Sequence, residues 1–276
     1  MIIDAHTHCY AEEVIANPVK FAHKQKESHW LQLVKPAKGK SLQGWANRTE
    51  MLSQMRSEGV DRVILQGWYW ENPDTCILQN DWHAQWIQQD PLKFIGFMSI
   101  HSKIKDPLDE LKKRHDQGFA GIGECHPWLQ GSTIKEKVWI QSMEFASQAG
   151  WPVTFHVTEP VGHDYSGRVP TPLEDFLWLA REIPNLKIIL AHGGGLFPFY
   201  ELNPKIRSDL QNVYYDLAAC PLLYDAQVYL KLIYVVGFKK ILWGTDYHLR
   251  IFPRTQKRPD FCSFKDLLFQ EAQLTK

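Results

Sequence analysis

The chain has no excess charge of either sign: 31 lysines and arginines stand against 31 aspartates and glutamates in 276 residues. Such a balance gives no chain-wide field for a polyanion and argues against nucleic acid as partner. Cysteine is scarce and scattered; Cys9, Cys76, Cys125, Cys220 and Cys262 form no C-x-x-C pair, which argues against a disulfide framework and a thiolate zinc site. No apolar run reaches the roughly 18 residues of a membrane span. Met1-Ile2-Ile3-Asp4 also lacks the basic-then-apolar order of a signal peptide, so the expectation is a cytoplasmic protein without a membrane partner. No Gly/Ser-rich linker or low-complexity tract interrupts the chain, and residues 1–276 are expected to form one domain. What the sequence does have is a globular composition, 44% hydrophobic and 22% charged, together with 12 histidines and 11 tryptophans.

Eight β-rich segments stand out, at 1–5, 60–67, 94–100, 120–123, 152–157, 186–191, 213–217 and 240–244. Runs such as Val63-Ile64-Leu65 and Ile188-Ile189-Leu190 are continuously apolar, as strands covered on both faces of a parallel sheet require. Gly59, Gly150 and Gly237 fall where helices stop, Asp106-Pro107 opens a helix, and Thr171-Pro172-Leu173-Glu174 reads as a capping box. From the second strand on, the segments recur at about 25 to 35 residues, the size of a βα unit. Eight units predict a (β/α)8 TIM barrel. The first connection is much longer than the rest, which places an insertion over roughly Cys9 to Ala46 as a lid-like loop on the face where barrels keep their active sites.

That rule directs attention to the strand ends, where ligand-type residues collect: His6 and His8 after strand one, Glu124 after four, His156 after five, His192 after six and Asp246 after eight. His6 and His8 are two residues apart on a strand, so both rings share a face, about 7 Å apart at the backbone, and can converge on one cation. Neutral imidazole and carboxylate suit zinc, manganese, iron or nickel. Asp4 has the same parity and is either an orienting partner of His6 or an ordinary strand-end polar residue.

The segments Asp4-Ala5-His6-Thr7-His8, Phe155-His156, Ala191-His192-Gly193-Gly194 and Gly244-Thr245-Asp246 resemble the amidohydrolase superfamily, most closely its amidohydrolase 2 branch of metal-dependent barrel hydrolases and decarboxylases. The resemblance runs from strand one to strand eight. It implies that His6, His8, His156 and Asp246 hold a divalent metal, commonly zinc, and that Asp246 takes a proton from water. His192 is then an acid/base or electrophile, or a ligand of a second ion. Gly121-Ile122-Gly123-Glu124 resembles the strand end of TatD-like two-metal relatives, which leaves Glu124 either a ligand or a supporting residue. Cys125 and His126 could also reach the site.

Around these, Trp68, Trp70 and Trp128 either wall a pocket for a planar substrate or close the barrel top, whereas Trp82 and Trp86, at helical spacing, read as packing. Gly193-Gly194-Gly195 lacks the lysine and hydroxyl of a P-loop and reads as a tight turn. Lys20, Lys24, Lys26, Lys35, Lys38 and Lys40 in the first loop, with Arg250, Arg254, Lys257 and Arg258 after strand eight, are either solvated surface or an attractor of anions. Arg250 and Arg168 are the stronger candidates for binding a substrate carboxylate.

The first expectation is therefore a metal-dependent hydrolase with one or two ions, acting on an ester, lactone or amide of a small anionic substrate. Non-oxidative decarboxylation of an aromatic or unsaturated acid is the alternative. A TatD-like nuclease and a non-catalytic binding barrel stand behind both, and a homo-oligomer is compatible with all of them.

Overall fold

Eight parallel strands follow one another around a barrel in a computed structural model that describes residues 1–270. They are β1 (Ile3–Thr7), β2 (Arg62–Leu65), β3 (Phe94–Met98), β4 (Gly121–Cys125), β5 (Pro152–Phe155), β6 (Lys187–Leu190), β7 (Val213–Asp216) and β8 (Ile241–Leu242). Each pairs with its successor. The seam from β8 to β1 is closed by Ala5 N–H on the Trp243 carbonyl (2.9 Å), Asp246 N–H on that of His6 (2.9 Å) and a Thr7–Tyr247 bridge. The expected TIM barrel is present; the last six residues of the expected single domain lie outside the described ones.

Between β1 and β2 lie α1 (Glu12–Ala16), α2 (Pro18–Gln25), α3 (Ser28–Val34) and α4 (Arg48–Glu58). The remaining α-helices are α5 (Pro73–Gln89), α6 (Pro107–Asp116), α7 (Lys137–Ala149), α8 (Leu173–Glu182), α9 (Pro204–Asp209), α10 (Cys220–Leu223), α11 (Gln227–Val236) and α12 (Cys262–Gln270). None of the described helices is long and apolar enough to cross a membrane. Helix α4 is closed by an Asn47/Glu50 capping box and by Gly59 in the left-handed region, as local chemistry dictates. The capping box expected at Thr171 does not form. Helix α8 begins after Pro172 without a side-chain cap, because the buried Thr171 hydroxyl instead receives Thr158 N–H and donates to the Thr158 carbonyl.

The main core fills the space between strands and outer helices, with Val63, Phe94, Val153, Phe155, Ile188 and Leu190 essentially fully buried. A second apolar cluster lies beneath the first loop, where Tyr10, Phe21 and Trp30 meet Trp68, Tyr69 and Trp70. Burying a large apolar side chain contributes about 1.5–3 kcal/mol, so these rings hold the insertion down. Its polar fastenings reach three other loops. Gly44 N–H donates to the His248 carbonyl and Arg250 N–H to that of Leu42, both at 2.9 Å. The Glu27 carboxylate accepts Glu71 N–H and Asn72 N–H, while His29 Nε2 lies 2.6 Å from the Gly167 carbonyl. The long first connection is thus a helical roof tied across the barrel mouth.

Candidate metal centre

Two of the strand pairings break register where a ligand-type residue emerges. Between Asp4 and Thr7 the β1–β2 pairing shifts around His6, and between Ile122 and Cys125 the β4–β5 pairing shifts around Glu124. Such irregularities re-aim side chains that strict alternation would place elsewhere. His192 (φ +61°) and Asp246 (φ +60°) occupy the left-handed region, a conformation that strains a residue with a Cβ and that recurs at functional sites.

The result is a buried cluster around one carboxylate. His6 Nε2 and His8 Nε2 are 3.3 Å apart, and each lies 3.7 Å from Glu124 Oε2. The other oxygen, Oε1, is 3.0 Å from His156 Nδ1 and 3.2 Å from His192 Nε2; those two nitrogens are 3.1 Å apart. Asp246 Oδ1 sits 3.5 Å from His8 Nε2. Two triads, His6/His8/Glu124 and Glu124/His156/His192, therefore share a single residue, and the ligand atoms of each lie within 4.8 Å of one another.

The outer contacts of the rings decide what they present inward. His192 Nδ1 lies 2.9 Å from the Ala218 carbonyl, which can only accept, so Nδ1 donates and Nε2 carries a lone pair. His6 Nδ1 likewise faces Asp216 Oδ2 at 2.9 Å, leaving its Nε2 as a lone pair. The lone pairs of His6 and His192 thus converge with carboxylate oxygens and two further imidazoles, a set of groups that fits divalent cations. Electrostatics point the same way. Burial lowers His6, but Asp216 and Glu124 outweigh it and hold the ring well above the ordinary imidazole value. His192 is pushed up to about 9 against burial, chiefly by Glu124. Burial raises Glu124, yet His156 and His6 keep its carboxyl well below the usual range. Burial raises Asp246 and lowers His8. The pocket calls for positive charge, which a bound cation supplies without protonating its own ligands.

Asp4 acts on the backbone of His6 and not on its ring. Its carboxylate accepts His6 N–H, Thr245 N–H and the Thr245 hydroxyl, pinning β1 to the loop after β8. The ring of His6 is oriented instead by Asp216, a residue overlooked in the sequence although it ends β7 and so obeys the strand-end rule. His126 is buried and stacks on His156, with ring centres 5.1 Å apart and planes at 15°. Trp128 packs edge-on against His126 and Phe176. Trp68 meets His8 edge-on at 5.1 Å, whereas Trp70 is buried behind it and donates its indole N–H to Gln79. The basic residues of the first loop and Arg254, Lys257 and Arg258 are exposed. Arg250 Nη2 donates to the Ser41 carbonyl and Arg168 Nη2 to that of Glu159, so both guanidiniums engage loop backbone, while each Nε is buried without a partner. Gly193, Gly194 and Gly195 are all left-handed; a Cβ at Gly194 would lie 2.7 Å from the Tyr215 ring, which makes this turn a packing device. A further overlooked residue is His248, fully buried beside Tyr10 and Trp45 and pushed down to about 3 by burial.

Comparison with known proteins adds an independent line. The family model described as amidohydrolase matches residues 3–269. The chain is 27% identical over 212 residues to a 2-amino-3-carboxymuconate-6-semialdehyde decarboxylase of Dictyostelium discoideum, a match covering 65% of this chain and 59% of that protein. Among solved structures, 5-carboxyvanillate decarboxylase from Sphingomonas paucimobilis superposes with a TM-score of 0.67 at 16% identity, covering 99% of this chain and 97% of that one. Dihydroxybenzoic acid decarboxylase from Polaromonas, solved with manganese and the inhibitor 2-nitroresorcinol, gives 0.67 at 16% identity over 100% and 92%. At such identities the structural matches speak to the fold.

Proposed function

Because the chain belongs to the amidohydrolase family, we propose that it is a two-ion hydrolase acting on an ester, lactone or amide bond of a small carboxylate-bearing substrate. One observation carries the reading: Glu124 presents one oxygen to His6 and His8 and the other to His156 and His192. A carboxylate shared by two imidazole pairs suits a pair of ions, zinc first among the candidates, with Asp246 completing the ligands beside His8. Bound there, a divalent cation supplies Lewis acidity and brings the pKa of water from about 16 to about 7.

The chain's own groups supply the rest. Asp246, within reach of His8, accepts the proton of the attacking water. Asp246 then returns that proton to the leaving group, and His192, its Nδ1 fixed on Ala218, would hold the second ion through Nε2. Asp216 holds the tautomer of His6. Trp68, Tyr69 and the stacked His126 exclude water from one side. Arg250 and Arg168, through the Nε groups left without partners, are the residues for a substrate carboxylate, with Trp70 and Trp128 supporting the walls.

Decarboxylation is the second reading, favoured by the Dictyostelium relative. In that case Asp246, its carboxyl raised by burial, delivers a proton to carbon as CO2 departs. Metal analysis of the purified protein, with lactone and ester hydrolysis followed by acid release and 2,6-dihydroxybenzoate turnover followed by CO2, separates the two. Two ions per chain with acid release upholds the hydrolase; CO2 release without hydrolysis replaces it with the lyase.

A further inference from the structure

One buried polar side chain beside the metal centre is unused by the chemistry above. His248 lies two residues beyond Asp246, is fully buried, and among the described residues neither of its ring nitrogens has a hydrogen-bond partner. Imidazole carries a donor and an acceptor in its neutral form. Leaving both unmade in a protein interior is destabilising, and such groups are rare outside sites where something else satisfies them. The surroundings define what that is. The His248 ring meets Tyr10 at 4.8 Å and Trp45 at 5.8 Å, both edge-on, and its centre is 6.5 Å from that of His8. Its loop is fixed from above, since the His248 carbonyl accepts Gly44 N–H and Leu249 pairs with Gln43. Gln43 contributes a further buried polar atom without a partner, its side-chain oxygen. Aromatic walls with isolated, uncharged hydrogen-bonding groups are the makings of a site for a flat ligand that both donates and accepts.

We propose that His248 is a specificity-determining residue: it hydrogen-bonds a hydroxyl on a planar substrate whose reacting end lies at the His8/Asp246 side of the centre. The inference rests on the metal-enzyme reading of that centre and adds to it a residue that selects among planar substrates by a hydroxyl away from the reacting group. Sites built to bond a substrate hydroxyl reject analogues lacking it, because their own polar groups are then left unpaired.

Calorimetric binding of benzoate, 3-hydroxybenzoate and 4-hydroxybenzoate to the manganese-reconstituted protein tests this. In neither hydroxylated probe can the hydroxyl chelate the same ion as the carboxylate. The wild type is expected to bind at least one of them about threefold to tenfold more tightly than benzoate, the range of one hydrogen bond. In His248→Phe that preference disappears, benzoate affinity stays within about twofold, and the unliganded Tm does not fall, because two unsatisfied nitrogens have been removed from the interior. His248→Asn, which keeps one donor and one acceptor, recovers part of the preference. Equal binding of all three probes by the wild type, absence of binding, a preference that survives His248→Phe, or a Tm several degrees lower in that variant would overturn the proposal. A hydroxyl preference in protein that holds no metal would sink the metal reading and leave the role of His248 standing.

Discussion

Asp216 offers the sharpest test of how the centre is held. Its carboxylate is fully buried and makes three bonds: Oδ2 faces His6 Nδ1 at 2.9 Å, and Oδ1 accepts His192 N–H at 3.1 Å and Ala218 N–H at 3.0 Å. One side chain therefore fixes the ring of His6 on β1 and the left-handed backbone of His192 after β6. In Asp216→Asn the amide oxygen can keep both backbone donors, but the NH2 then faces His6 Nδ1. That nitrogen must become the acceptor, and the ring's proton moves to Nε2, into the ligand position. Loss of such a supporting carboxylate lowers metal affinity about 10- to 100-fold, or about 1.4–2.7 kcal/mol, with the Tm nearly unchanged. Asp216→Ala differs in kind, because two buried N–H groups lose their acceptor at about 1–3 kcal/mol each. For a chain of this size the Tm should fall by at least about 5 °C. Competition against a chromophoric chelator gives the affinities, and thermal unfolding in chelator gives the Tm values. Affinity in Asp216→Asn within twofold of wild type would refute the tautomer argument.

Metal linkage itself is measurable without a substrate: at a free ion concentration of 100 Kd the native state gains about 2.7 kcal/mol, so the Tm should rise by about 5–10 °C, and a His6→Ala/His8→Ala variant should show no such rise. His29, on α3, is pushed down to about 4 by burial, while the Gly167 carbonyl favours its N–H. A base with a folded pKa below its unfolded value of about 6.5 binds fewer protons when folded. Its stabilisation is therefore intact above about pH 6.5 and declines as the pH falls through 4, amounting to a loss of about 2 kcal/mol at pH 5. Denaturant titrations at pH 7 and pH 5 should show that loss in the wild type and not in His29→Asn; identical acid sensitivity in both would remove His29 as the cause. Gly244→Ala would place a Cβ 2.9 Å from that of His6 and 3.2 Å from its backbone nitrogen. Overpacking of this kind costs about 1–3 kcal/mol, and it should also displace the ring, so metal affinity is expected to drop while far-UV CD is retained. Unaltered affinity would show that the strand yields elsewhere.

The barrel was legible because its signals are local: continuous apolar runs, glycine stops and a repeat spacing each sit within a few residues of what they specify. The same holds for His6, His8, His156, His192 and Asp246, since a strand end is a position in sequence as well as in space. What was not legible depends on partners far along the chain. Asp216 meets His6 across 210 residues, and its strand carried no companion motif to draw attention to it. Glu124 stayed ambiguous because its aim is set by the register break between Ile122 and Cys125, which period-two alternation cannot express. Arg250 reads as a candidate carboxylate binder from its charge, and what the sequence does not tell is that its Nη2 lies 2.6 Å from the Ser41 carbonyl and fastens the roof. A long flexible cation takes whichever acceptor the fold brings near, and the sequence names no partner for it. The neutral total charge divides in the same way. The lysines of the first loop are exposed, whereas the groups close to His8 are the Glu124 and Asp246 carboxylates and the rings of Trp68 and His248. A field from exposed lysines falls off with distance and screening, so it would act on the approach of an anion and leave contact at the centre to the groups already within it.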